Sequence, residues 1–356
     1  MAPGYGPTRI ERRKASCLII AVVAVACAGA PPPSTTSTPS SSIAGSSEPE
    51  VVSIALSELR PWQSPVDVAV GTDAVWVTVH DLGLVRVDPE THQVVATVPG
   101  DYFFRLSVGR DAVWVSTGSD GHVVRIDPSS NAVTASIPTD AGPVGDLATT
   151  PDAVWASASS ELLRIDPSSN EIVARLPFDG GVGGIAVDET GVWAIAGANR
   201  EGTVVKIDPD TNRVIDSVAV PNPSFWNDID AGAGSIWVTT SPIVHQDAVP
   251  LVELYRINPV TATCETTIGV GHGTTGLGEG GAVSLAAAAT SGDSIWVYNG
   301  FERILGRVDA ATNVVVETLP VEPCCYEGLP PGMAVGHGAL WVTGDDDINR
   351  VTLSGE

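Results

Sequence analysis

Apolar and polar residues alternate along this chain in runs of four to six, the period of half-buried β-strands, and the runs come in sets of four. The first set reads Val66–Val70, Ala74–Val79, Leu84–Val87 and Val94–Val98, four strands A to D separated by turn residues. The set recurs seven times, each copy marked by a tryptophan on strand B: Trp76, Trp114, Trp155, Trp193, Trp237, Trp296 and Trp341. The intervals are 38, 41, 38, 44, 59 and 45 residues. A period near 40 with several short strands per unit is the mark of a propeller and not of two-helix repeats. The pattern therefore predicts an all-β chain: a seven-bladed β-propeller with four antiparallel strands per blade. Seven tryptophans at one position suit packing between blades, each contributing roughly 4–6 kcal/mol by buried area before entropy.

The turn from C to D repeats as well. It reads D-P-E-T-H at Asp88–His92, D-P-S-S-N at Asp127–Asn131 and Asp166–Asn170, and D-P-D-T-N at Asp208–Asn212. Aspartate accepts backbone N–H bonds, proline presets φ, and asparagine tolerates the left-handed region. His92 thus reads as a turn residue. A basic residue precedes the turn in every copy: Arg86, Arg125, Arg164, Lys206, Arg256, Arg307 and Arg350. One repeated position reads as blade-to-blade salt bridging or stem packing, not as a binding patch. Copy seven stops after strand C, and Val51–Leu56 resembles the missing D strand. The N-terminal strand is expected to close the last blade and remove the open edge.

Ahead of the propeller, residues 1–27 read as an export signal. Arg9, Arg12, Arg13 and Lys14 precede a short apolar run, Cys17 to Val25, too short to span a bilayer comfortably. The end of that run, Ala24 to Cys27, resembles a bacterial lipobox, which implies lipid on Cys27 and anchoring to a membrane. Residues 28–50 are Pro/Ser/Thr-rich and cannot bury enough surface to order themselves, so they form a tether. The propeller takes 51–356. This arrangement implies an extracytoplasmic lipoprotein, or a secreted protein if no lipid is added.

Composition narrows the partners. The formal charge is −24, and without residues 1–26 it is −27, from 14 basic and 41 acidic side chains. Such a surface repels phosphate backbones and argues against nucleic acid. A closed ring with no free edge is expected to be a monomer.

In four-stranded antiparallel blades the B–C loops and D-to-A connections share one face, here called the top. Elaboration gathers there: Ile268 to Trp296 takes 28 residues, against 16 to 19 in the first four such connections. Variable loops on a rigid scaffold are where binding usually lives. Most aromatic residues outside the repeat also map to the top. They either plug the channel mouth or form a stacking surface, for which Trp62, Tyr102, Trp226, Tyr298 and Tyr326, with Arg105, are the candidates. The residues opening strand A are Asp67, Arg105, Asp146, Gly184, Asp228, Ser284 and Gly332. Asp67, Asp146 and Asp228 would ring the channel in alternate blades, either capping turns or holding Ca²⁺ or Mg²⁺; no other cofactor is indicated. No pair of histidines has zinc-ligand spacing. Cys324 and Cys325 are neighbours that could close on each other or stay as thiols, and Cys264 lies too far along its blade to pair with either.

The repeat V-W-V with R-I-D-P-x-x-N-x-V-V resembles seven-bladed bacterial propellers of the YVTN-repeat type over Val51 to Leu353. That resemblance implies an extracytoplasmic binding or surface protein. More distantly the chain is similar to the streptogramin B lyases, which implies a divalent-metal-assisted C–O lyase with His245, His272 and Glu279 as counterparts of the catalytic set; the P-x-x-I-A blade openings of that group are absent. Fold alone carries no chemistry. The favoured expectation is a non-enzymatic module whose top face binds a cell-surface glycan, a peptide or a small molecule. A metal-assisted lyase and a scaffold that docks another protein are the alternatives.

Overall fold

The computed structural model describes residues 49–56, 63–197, 202–220, 228–240, 252–271, 286–300, 302–321 and 330–353. Among them, 28 strands form seven four-stranded antiparallel sheets, with no helix. Blade one is β2 (Pro65–Val70), β3 (Val75–Val79), β4 (Gly83–Val87) and β5 (Val94–Pro99), within a residue of the expected bounds. The innermost strands of blades two to seven are β6 (Phe103–Val108), β10 (Val144–Thr149), β14 (Val182–Asp188), β18 (Ile229–Gly232), β22 (Ala286–Ser291) and β26 (Met333–Gly336). Each packs against the next, and β26 packs against β2, so the sheets close into a ring. The ring is a seven-bladed β-propeller.

The core lies in the seams. Successive side chains on a strand point to opposite faces, so Trp76 packs toward blade two while Val75 and Val77 pack toward blade seven. One apolar cluster fills each of the seven seams. All seven repeat tryptophans are at most 2% exposed. The ring closes as expected: β1 (Val51–Ala55) pairs along its whole length with β28 (Asp347–Thr352), from Val51 opposite Val351 to Ala55 opposite Asp347.

Outside the tryptophans runs a second repeated contact. Arg86 holds its guanidinium 5.3 Å above the Trp76 ring. Its Nη1 donates to Pro128 O at 2.9 Å and Asn131 Oδ1 at 3.3 Å, both in the C–D turn of blade two. Arg125 and Arg164 do the same toward the turns that end in Asn170 and Asn212. Arg86, Arg125, Arg164 and Arg256 do join blades, but through a turn carbonyl and an amide, while the ion pairs Arg86–Asp73 and Arg164–Asp152 stay within one blade. Each turn asparagine has positive φ, 54° at Asn131 and 58° at Asn170. His92, with φ 59°, occupies the same position and packs edge-on against Trp341, as a turn residue should.

Candidate functional site

The seven innermost strands line an axial channel of about 1220 Å³. In blades one to four the head of that strand carries a β-bulge, between Pro65 and Asp67, Phe103 and Leu106, Val144 and Leu147, and Val182 and Ile185. A bulge inserts a residue and re-aims its neighbours. Here it delivers Asp67, Arg105, Asp146 and Gly184 to the channel wall. Asp228 and Gly332 occupy the same register in blades five and seven. In blade six the position belongs to Ala287, which pairs with Tyr298; Ser284, expected there, lies outside the described residues. The longer connection and a strand that opens with four alanines put the position three residues later than expected.

The carboxylates link blades. Asp67 Oδ2 accepts from Leu106 N at 3.0 Å, Asp146 Oδ2 from Ile185 N at 2.7 Å and Asp228 Oδ2 from Ala288 N at 2.9 Å. They join blade one to two, three to four and five to six. In Asp146 and Asp228 the second oxygen accepts the N–H of the following residue, Leu147 or Ile229, both at 2.9 Å. A fourth aspartate, Asp230, lies one turn of the pleat deeper and accepts from Thr290 N at 2.7 Å. Blade seven has no room for the equivalent group: a Cβ on Gly332 would stand 2.6 Å from Asp67 Cα.

Hydroxyls two residues after the tryptophan complete this polar layer. Ser116 Oγ accepts from Arg105 N at 3.0 Å and donates to Gly145 O of the next blade at 2.7 Å. Ser157, Thr239 and Thr343 accept the N–H of Asp146, Asp228 and Gly332. The strand pattern pointed to neither this layer nor Asp230, although a Ser or Thr stands two residues after the tryptophan in five copies.

Burial sets the electrostatics. It pushes Asp146 up to about 6, with N–H donation and Arg105 opposing and Asp67 adding repulsion. Asp228 is pushed up to about 7 by burial, with Asp146 and Asp230 adding repulsion. Asp67 and Asp230 are raised by burial too. Arg105 is paired with Asp67 through one long contact, Nη1 to Oδ1 at 3.4 Å, and lies 5.2 Å above the Phe104 ring. Its other guanidinium N–H groups reach no acceptor among the described residues. At the mouth, Tyr102 is 52% exposed and holds φ at 60°.

Tyr298 is a correction. Expected among the exposed rings, it lies on β23 (Ser294–Asn299), is 1% exposed and packs in the seam between blades six and seven. Strand B is buried on both faces, and Tyr298 stands on it at the register of Thr78. Cys264, expected to have no partner in Cys324 or Cys325, is disulfide-bonded; every other cysteine of the chain lies outside the described residues. Trp62, Trp226, Tyr326, His245, His272, Glu279, Cys27, Cys324 and Cys325 also lie outside them. Among the described residues no group of three or more His, Cys, Asp or Glu side chains converges as a metal ion requires.

No protein-family model matches the chain, and no curated protein matches it. Among solved structures, 1382 chains match, so the architecture is common and selects no activity. One of them is a chain of the Kuenenia stuttgartiensis hydrazine synthase, 12% identical, with a TM-score of 0.67 over 82% of this chain and 96% of that one. At that identity the likeness shows the fold alone.

Proposed function

We propose that this protein is a non-enzymatic binding module of the YVTN-repeat kind that takes a small ligand into the top of its axial channel. The observation that carries the reading is Arg105: a guanidinium on the wall of a large cavity, held among the described residues by one long ion pair that leaves most of its donors open. A planar fork whose remaining N–H groups meet no acceptor among the described residues is a ready recognition element. The wall around it is rigid, because every channel carboxylate is fixed by backbone N–H groups of the adjoining blade. A preformed site loses little entropy when it is filled. We place the module outside the cytoplasm, anchored through lipid on Cys27 by the tether at residues 28–50.

An unbiased capture tests the channel. The protein is incubated with a small-molecule extract, washed, and its retained compounds are identified by mass spectrometry. A compound retained by the native protein and lost from Arg105→Lys is the expected result. Retention of nothing, or equal retention by both proteins, contradicts the reading. The anchor is tested by the mass of the mature N-terminus: a lipid-modified Cys27 is expected, and Cys27→Ser should release the protein from membranes.

A further inference from the structure

The polar groups of the channel come from different blades around its axis. Asp67, Asp146 and Asp228 stand in blades one, three and five, and Arg105 stands between the first two. This arrangement favours some ligands over others. A hard divalent ion needs several oxygens converging on one point, and no such group exists among the described residues. An anion would meet four carboxylates against one guanidinium. A neutral molecule with hydroxyls spaced around a ring meets a separate partner at each: carboxylate oxygens accept, and the N–H groups of Arg105 that meet no acceptor among the described residues donate.

The mouth adds an apolar plane. Tyr102 exposes half its surface on the channel rim. Its positive φ is uncommon for an aromatic residue, and such conformations persist only where the surroundings hold them. One fixing contact is visible: the Tyr102 carbonyl accepts from Gly118 N at 3.0 Å. Saccharides pair radiating hydroxyls with flat C–H faces, which suits a polar wall beneath an exposed ring. The cavity exceeds the roughly 300–1,000 Å³ of common small-ligand pockets, leaving room for more than one sugar ring.

We propose that the channel binds a neutral saccharide, one ring across the axis with hydroxyls on Asp146, Asp228 and Arg105, and a neighbouring ring stacked on Tyr102. The inference rests on the channel being the ligand site. The carboxyls of Asp146 and Asp228, raised by burial, exchange between neutral and charged forms near neutrality and serve as donor or acceptor as a hydroxyl demands.

Calorimetric titration of the purified protein tests this. The probes are neutral methyl pyranosides and short oligosaccharides of glucose, mannose, galactose and N-acetylglucosamine; spermidine, free lysine and calcium chloride form separate arms. At least one neutral saccharide should bind. Arg105→Lys, which keeps the charge and loses the fork, should weaken it by at least about tenfold. Tyr102→Ala, at an exposed position that does not threaten folding, should weaken it several-fold. Val95→Thr, on the exposed outer strand of blade one, should change nothing. Binding by an amine or by calcium, with every neutral saccharide silent, overturns the sugar class and leaves the binding site standing. Saccharide binding indifferent to both channel variants overturns the proposal by placing the sugar elsewhere. Silence in every arm, with an empty capture experiment, overturns both readings.

Discussion

Asp146 and Asp228 join the blades by accepting from the next one, and burial opposes the charge that makes them good acceptors. The pH dependence follows. A carboxyl raised in the folded state contributes stability that is complete below its unfolded pKa of 3.8 and is lost as pH rises through its folded value, here about 6 and about 7. The turn aspartates run the other way. Asp127, Asp166 and Asp208 are lowered by hydrogen bonds at the turn, so their contribution is lost as pH falls below the ordinary carboxylate range. The melting temperature should therefore peak at mildly acidic pH and decline from there to about pH 7–8, and Asp228→Asn should flatten that decline. A melting temperature that climbs steadily from pH 5 to 8 would contradict the assignment. The turn asparagines allow a second measurement. Both Asn170→Gly and Asn170→Ala remove the acceptor of Arg125, but only alanine also meets the left-handed backbone. Chemical denaturation should find alanine worse than glycine by about 1–2 kcal/mol.

At the scale of elements, tryptophan, arginine and the next turn behave as one part copied at four of the seven seams, and the seam between blades four and five shows how it varies. The turn of blade five ends in Ala262 instead of asparagine, and the blade that faces it carries Lys206 instead of arginine. With no side-chain amide to meet, a single ammonium on Pro259 O at 2.7 Å suffices. Lys206→Arg with Ala262→Asn should restore the pair seen at Arg256 and Asn313, 3.0 Å apart. The double variant should exceed the sum of the singles by about 1 kcal/mol in a double-mutant cycle. Additive singles would mean that the amide contributes nothing. This copied part is why the fold was legible in the sequence. Each copy meets the same neighbour, so the same residue types return at the same spacing. The channel is read differently because its contents vary from blade to blade. Asp67, Asp146 and Asp228 could be aligned through a shared register, whereas Ala287 offered no marker and Asp230 has no counterpart in other blades. Tyr298 shows the limit of placement by loop counting: one step along a strand separates a wet rim from a dry seam. The bond at Cys264 depends on which chain segments meet in space, and no repeat encodes that.

For the whole molecule, one blade is completed without a covalent turn, where β1 meets β28. The contacts of blade six record this discontinuity. Every other repeat arginine with a hairpin turn ahead of it in blades two to six donates into that turn, but blade seven has no covalent C–D turn. Arg307 instead pairs with Glu317 in its own blade at 2.8 Å, 5.9 Å above Trp296. The six covalent C–D hairpins each carry a bulge beside the basic residue, while the β28–β1 pairing runs without one. Arg307→Ala should therefore destabilise less than Arg256→Ala, which abandons two acceptors across a seam. Closure depends on the apolar face of the N-terminal segment, where Ile54 and Leu56 are 5% and 2% exposed. Ile54→Ala should cost about 2–5 kcal/mol, as for other buried aliphatic truncations. Removing residues 51–55 should do more, because it also leaves the outer edge of β28 unpaired, and an open edge invites pairing with another chain. Size-exclusion chromatography of the truncated protein should show dimers or larger species. A synthetic peptide spanning Val51 to Leu56 should return it to monomer and raise its melting temperature by adding the strand in trans. A truncated protein that stays monomeric, melts as the native one does and ignores the peptide would show that the ring closes without its first strand.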